Sequence, residues 1–235
     1  MCNALLNVMG ARSEFTTSFT EEQKKKLLLG LFDNYFNHIT EESTIFDSSR
    51  SWCARLNLLN QLFADFKIIC CVRNVAWIMD SFERLVHKHP LAYSRMFNDD
   101  NERSTVYSRT EALARRNRIV GYSVAALSEA YHGPNSSSML LVDYELLARF
   151  PQKCMNLIYD FLDEPAFEHD HNNVSFKETD FDANMGVPDM HTVRNKIEFH
   201  QRPSLLPPDI FDKYNKIDFW TKPQGTAASV ISISA

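Results

Sequence analysis

Short apolar runs alternate with longer amphipathic segments through the middle of the chain. Residues 67–72 and 139–142 are continuous runs of strand-forming residues, which is typical of strands buried on both faces. Apolar residues recur at steps of three and four in the segments that predict helices, which are 52–66, 75–88, 106–131 and 151–162. Strands separated by helices favour parallel pairing with right-handed crossovers. The pattern therefore predicts an α/β fold, with a parallel sheet flanked by helices on both faces.

The same pattern predicts a single domain over residues 1–235, in four parts. Residues 1–43 hold N-terminal helices, one over 1–9 and another beginning after the capping residue Thr20. Residues 44–163 form the α/β core, which opens with a short strand at 44–47. The pattern weakens over residues 164–224, where only a short helix near 208–214 is predicted, and 225–235 is predicted to be a loose terminus.

Composition and charge exclude several classes of protein. The 44% hydrophobic and 23% charged residues are typical of a globular chain, and no apolar stretch approaches the ~20 residues of a membrane span. The formal net charge of −5 gives no reason to expect nucleic-acid binding. The odd count of five cysteines has no disulfide-like spacing, which favours a reducing compartment, and no secretory signal is visible. We therefore predict a cytoplasmic protein without a membrane segment; no metal site is predicted, because the histidine pairs lack zinc-site spacing.

Polar clusters follow the predicted strands at the positions where α/β sheets bind ligands. They are 47–50, 73–74 and 143–145. Arg73 directly follows the strand at 67–72, and Ser81 comes eight residues later, a little over two helical turns. A guanidinium and a hydroxyl on one side of a pocket suit a terminal phosphate. The alternative is a surface arginine and a helix serine with no ligand.

Four ordered segments resemble the sulfotransferase family. KIICCVRNVAWIMDSF resembles the family's 3′-phosphate-binding segment, in which a strand ends in Arg and a Ser follows eight positions on. The three other segments resemble further blocks of bacterial members and are IFDSSRSW, LLVDYELLARFPQKCMNLIYDFLDEP and DMHTVRNKIEFHQRPSLLPPDIFDKYNKIDFW. The resemblance covers about residues 44–220.

This resemblance implies transfer of a sulfuryl group from 3′-phosphoadenosine 5′-phosphosulfate (PAPS) to a hydroxyl or amine acceptor, releasing the desulfated product PAP. Carried over by position, Arg73 and Ser81 would bind the 3′-phosphate. Arg194 and Lys196 would reach the same phosphate from residues 164–224, which would close over the nucleotide. Tyr144 would lie near the adenine, unless its ring serves core packing. The acceptor is expected to be a small molecule or a glycan, and the sequence indicates no oligomeric state.

Catalysis of sulfuryl transfer depends on positioning and on cationic stabilisation of developing negative charge, aided by a general base. Family members commonly place a His or Glu near the end of the strand before the arginine-bearing one. In this chain that place is occupied by residues 47–50. Asp47 is the candidate base and Arg50 the candidate charge stabiliser. The alternative is that the two form a loop pair with a structural role.

One part of the family pattern is missing. Complete members open with a strand and a Pro-x-x-x-Ser-Gly-Ser/Thr-Thr-Leu loop that holds the 5′-phosphosulfate. The sequence contains no such stretch, and residues 1–7 resemble the helix that would follow it. We therefore expect the N-terminal strand to be missing from the sheet and donor affinity to be lower by about 10³–10⁶. Alternative functions are a non-catalytic nucleotide- or partner-binding relic of the same fold, or another phosphate-handling α/β protein such as a nucleotide kinase.

Overall fold

The computed structural model describes residues 15–38, 43–91, 95–177, 179–193 and 195–232. The strands are β1 (Ile68–Val72), β2 (Met139–Asp143) and β3 (Ser229–Val230). The first six α-helices are α1 (Phe15–Ser18), α2 (Glu21–Tyr35), α3 (Leu56–Leu62), α4 (Val75–Lys88), α5 (Asp100–Arg103) and α6 (Val106–Ala114). The others are α7 (Ile119–Tyr131), α8 (Tyr144–Arg149), α9 (Pro151–Leu162), α10 (Thr179–Met185) and α11 (Pro208–Asn215). Short 3₁₀ helices cover Trp52–Arg55, Ser136–Ser138 and Phe219–Thr221.

The described strands form one parallel sheet in the order β1-β2-β3. Ile68 lies opposite Met139 and Val72 opposite Asp143, so β1 and β2 end at the same level. The residues that follow these strands therefore emerge side by side at one edge of the sheet. This register brings Arg73 and Tyr144 together.

Helices cover both faces of the sheet. Successive side chains of β2 point to opposite sides and pack against different helices. Met139 and Leu141 belong to the larger core, with buried residues of α4, α6 and α7. Leu140 and Val142 pack on the other face against Cys154 and Ile158 of α9. The predicted α/β fold with helices on both faces is confirmed. Within the described residues, no helix has both the length and the apolarity needed to cross a bilayer.

Residues 229–230 have regular structure that the sequence pattern did not predict. The prediction of a loose tail over 225–235 is wrong for β3, which pairs in parallel with Leu140 and Leu141 of β2. The next residue, Ile231, donates its backbone N–H to the Leu141 carbonyl at 3.0 Å and is buried. This segment completes the sheet on the far side of β2.

The other edge of the sheet is open in the part of the chain that the structure describes. Among these residues β1 pairs with β2 alone. A cavity of about 850 Å³ runs along this edge, lined by β1 residues 68–71 on one side and by 44–50 on the other. The strand predicted at 44–47 is not formed, since the described residues 43–49 have no regular secondary structure.

Two predicted helices are shorter than expected. The helix predicted over 106–131 is divided into α6 and α7 by a turn in which the Arg118 N–H bonds the Arg115 carbonyl at 2.8 Å. Gly121 permits this arrangement, because a Cβ there would lie 2.1 Å from the Ala114 carbonyl oxygen. The helix predicted over 52–66 begins as a 3₁₀ turn and ends with α3 at Leu62.

Candidate functional site

The contact between Arg73 and Ser81 follows directly from the junction of β1 and α4. The strand delivers Arg73 at its end, and the Asn74 side chain then caps α4 by accepting the Ala76 N–H at 3.0 Å. Ser81, two turns into α4, faces back toward the strand end. Its Oγ accepts a hydrogen bond from Arg73 Nη1 at 3.1 Å and donates to the Trp77 carbonyl at 2.9 Å. The expected convergence of these two side chains is confirmed.

Arg202, which was not among the predicted site residues, is a second arginine at this hydroxyl. Its Nη2 donates to Ser81 Oγ at 3.1 Å and to Asp80 Oδ2 at 2.7 Å. The Nε atoms of Arg73 and Arg202 are both buried without a hydrogen-bond partner among the described residues. Two guanidinium groups with spare donors therefore face one hydroxyl, which is an arrangement suited to an oxyanion.

Tyr144 lies against Arg73. It is the first residue of α8, directly after Asp143, whose side chain caps that helix by accepting the Glu145 N–H at 2.8 Å. The Arg73 guanidinium carbon is 4.3 Å from the centre of the Tyr144 ring, a cation–π contact, and the Tyr144 side chain is 42% exposed. The ring thus orients Arg73 and also remains accessible, so it is not a core-packing residue.

The electrostatics of the cluster favour a bound anion. Burial lowers the pKa of Arg73, and the neighbouring charge of Arg202 acts in the same direction, whereas Tyr144, Glu145 and Asp80 oppose it. Both effects disfavour the charged form of Arg73. An anion beside Arg73 would offset both effects, because it brings an opposite charge to this guanidinium.

Two basic site residues, Arg194 and Lys196, were predicted from the segment that begins DMHTVRNK, here called the C-terminal block. The structure describes one of them. Arg194 lies outside the described residues. The Lys196 ammonium is 3.6 Å from the Glu198 carboxylate, and the Lys196 side chain is more than half exposed. The contact from this block to Ser81 is made by Arg202.

The candidate catalytic residues line the cavity beside β1. Asp47 is half-buried, and its Oδ2 accepts a hydrogen bond from the Trp52 indole Nε1 at 2.8 Å. Arg50 is exposed and also lines this cavity, which extends along β1 to Cys71, two residues before Arg73. The structure thus places Asp47 and Arg50 among the residues that line the cavity beside β1.

The fold and this cluster define an α/β protein with a candidate anion-binding site at the carboxyl end of a parallel sheet. The family model described as "Sulfotransferase domain" matches residues 54–202, more than half of the chain, and the chain therefore belongs to the sulfotransferase family. The matched residues include Arg73, Ser81 and Arg202 but begin after Asp47 and Arg50. No curated protein and no solved structure shows significant similarity to the chain.

Proposed function

We propose that this protein transfers a sulfuryl group from PAPS to a hydroxyl or amine acceptor, and that Arg73, Ser81 and Arg202 bind the 3′-phosphate of the donor. Membership of the sulfotransferase family supports sulfuryl transfer. The observation that carries the choice of donor is the convergence of two guanidinium groups on the Ser81 hydroxyl, each at 3.1 Å.

A phosphate monoester matches this cluster in charge and in hydrogen bonding. It carries about −1.5 to −2 charges at pH 7 and offers three acceptor oxygens. The two arginines supply two positive charges, and both have a buried Nε–H without a partner in the described structure. In the proposal Tyr144, which packs on Arg73, lies on the nucleoside side of this phosphate. Arg194 and Lys196, in the C-terminal block, are proposed as further cations for this phosphate.

In the proposed reaction the acceptor occupies the cavity beside β1. Asp47 removes the acceptor's proton, and Arg50 stabilises negative charge on the transferred group. The acceptor oxygen or nitrogen then bonds to sulfur, while the bond between sulfur and the bridging oxygen of PAPS breaks and PAP leaves. The apolar part of the cavity wall, which includes Trp52, would contact a small-molecule or glycan acceptor.

Donor recognition is tested by comparing ligands that differ in the 3′-phosphate alone. Isothermal titration of PAP and of adenosine 5′-phosphate (AMP) against this chain should show at least tenfold tighter binding of PAP. ATP, which lacks a 3′-phosphate, should bind no better than AMP. Equal affinities for PAP and AMP would show that the arginine cluster does not bind this phosphate.

The catalytic assignment is tested with Asp47→Asn. PAP release from PAPS, measured with a mixture of phenolic, sugar and amine acceptors, should fall by about 10²–10⁴ if Asp47 is the general base. The affinity for PAP should stay unchanged. The matched control is Ser48→Ala, on the same cavity wall, and it should release PAP at the wild-type rate. Wild-type chain that binds PAP but releases none from PAPS would instead indicate a non-catalytic member of the fold.

A further inference from the structure

Asp80 is a carboxylate on α4 with no solvent exposure, directly before Ser81 in the chain. Its Oδ2 accepts hydrogen bonds from Arg202 Nη2 at 2.7 Å and from Arg84 Nε at 2.9 Å. Its Oδ1 accepts the Leu205 backbone N–H at 2.7 Å and faces the Ser204 hydroxyl at 3.3 Å. One buried side chain therefore fastens residues 202–205 to the helix that carries Ser81.

Asp80 accepts more hydrogen bonds than the packing of α4 alone requires. An ionised carboxylate is costly to bury unless it is paired and hydrogen-bonded, and Asp80 is both. Two of its four partners are guanidinium groups, so the local charge remains positive. Arg84 is itself fixed, because it also donates to the Pro203 carbonyl. The arrangement is a rigid anchor for a segment that is more than 120 residues away in the chain.

Asp80 holds Arg202, the side chain that faces the proposed phosphate position. Arg73 and Arg202 both donate to Ser81 Oγ, and their like charges repel each other. A long arginine side chain also has rotamer entropy that favours other positions. Asp80 opposes both tendencies, because its carboxylate holds the same Arg202 nitrogen that contacts Ser81.

We propose that Asp80 is a positioning residue, which holds Arg202 beside Arg73 in readiness for the 3′-phosphate of the donor. The proposal rests on the donor site proposed above and deepens it. A cation that is already in place binds an anion without a further ordering cost. Asp80 itself does not contact the nucleotide. Its effect is therefore confined to ligands that carry the 3′-phosphate.

The test compares PAP and AMP binding by isothermal titration to the full chain and to Asp80→Asn. Asparagine keeps the shape and one oxygen acceptor but removes the charge that holds Arg202. The affinity for PAP should fall about 10- to 100-fold, which corresponds to the loss of a well-placed charged hydrogen bond. The affinity for AMP should change less than twofold, because AMP has no group for Arg202 to bind.

The matched control is Glu83→Gln on the same helix. Glu83 is also buried, with 3% exposure, and binds Arg109 Nε at 2.9 Å. It tests whether any loss of a buried carboxylate from α4 weakens PAP binding. The Glu83→Gln variant should discriminate PAP from AMP as well as the wild type does. Loss of discrimination in both variants would overturn the specific role of Asp80.

The other outcomes separate this proposal from the one it rests on. Equal weakening of PAP and AMP by Asp80→Asn, or no weakening of either, overturns the positioning role. A wild-type chain that does not discriminate PAP from AMP refutes the donor site instead. If Asp80→Asn does not fold, the double variant Asp80→Asn/Arg84→Met allows the same comparison. It also removes Arg84, the second guanidinium that would lose its carboxylate partner. In an Arg202→Ala background, a further loss of PAP affinity on adding Asp80→Asn would also contradict the proposal.

Discussion

Replacing Arg73 by alanine is the most direct perturbation of the proposed donor site. The substitution removes a guanidinium that is hydrogen-bonded to Ser81 and stacked on Tyr144, both at the carboxyl end of the sheet. It leaves Arg202 in place, held by Asp80. The variant therefore measures the contribution of one arginine to phosphate binding while the rest of the cluster persists.

The expected loss follows from the contacts that Arg73 can make. Hydrogen bonds to charged groups contribute about 1.5–3 kcal/mol each, and a guanidinium can donate two in parallel to a phosphate. Two such bonds amount to about 3–6 kcal/mol, or a loss of about 10²–10⁴ in PAP affinity. Arg73→Lys retains the charge but cannot donate two parallel N–H groups, so its loss should be intermediate.

Arg115→Ala is the control for this experiment. The Arg115 side chain is 55% exposed, and its Nη1 lies 2.8 Å from Glu102, which also binds Arg118 at 2.8 Å. Its removal deletes one surface charge and leaves Glu102 paired. Isothermal titration with PAP should therefore show nearly wild-type affinity for Arg115→Ala and a severe loss for Arg73→Ala. Equal losses in the two variants would mean that PAP responds to overall charge, and the site would be wrongly placed.

Two further predictions concern groups outside the donor site. The sulfur atoms of Cys53 and Cys70 lie 3.7 Å apart, and this contact lowers the pKa of Cys53 despite its burial, whereas the same contact and burial raise the pKa of Cys70. Iodoacetamide should therefore label Cys53 before Cys70 as the pH rises. Mass spectrometry that finds Cys70 labelled first would contradict this prediction. Burial raises the pKa of Asp182, but hydrogen bonds from the His191 backbone and ring outweigh it and leave the pKa lowered. A lowered carboxyl pKa adds stability above about pH 4, and this stability is lost as the pH falls through the folded-state pKa. The melting temperature of Asp182→Asn should therefore decline less in acid than that of the wild type. Parallel plots of melting temperature against pH for the two proteins would refute this prediction.

The parts of the fold that were predicted correctly have local signals in the sequence. Helix α4 begins after a capping asparagine and α9 begins with proline, and both were predicted with the observed bounds. The strands β1 and β2 are continuous apolar runs. The short strand β3 has no such signal, because its two residues become a strand only by pairing with β2. Tertiary pairing of this kind cannot be read from periodicity.

The same difference separates the predicted and the missed residues of the site. Arg73 and Ser81 belong to one strand-to-helix unit, so eight residues of spacing were enough to predict their contact. Arg202 reaches Ser81 from 121 residues away, and no local pattern connects the two. Its neighbourhood was recognised through the resemblance of the C-terminal block, but that resemblance pointed to Arg194 and Lys196 rather than to Arg202.

A signal for Arg202 was nevertheless present within α4. The buried residues of this helix are Val75, Ala76, Met79, Asp80 and Glu83, so two acids share the buried stripe with apolar side chains. Buried carboxylates require cationic partners. Arg84 of the same helix pairs with Asp80, but distant segments also supply partners, Arg109 for Glu83 and Arg202 for Asp80. An acid at a core position of a predicted helix thus indicates that a cationic side chain packs there, from the next turn or from a distant segment. Because Ser81 directly follows Asp80, an arginine that reaches Asp80 from a distant segment can also contact Ser81, as Arg202 does, and so lie at the edge of the proposed phosphate site.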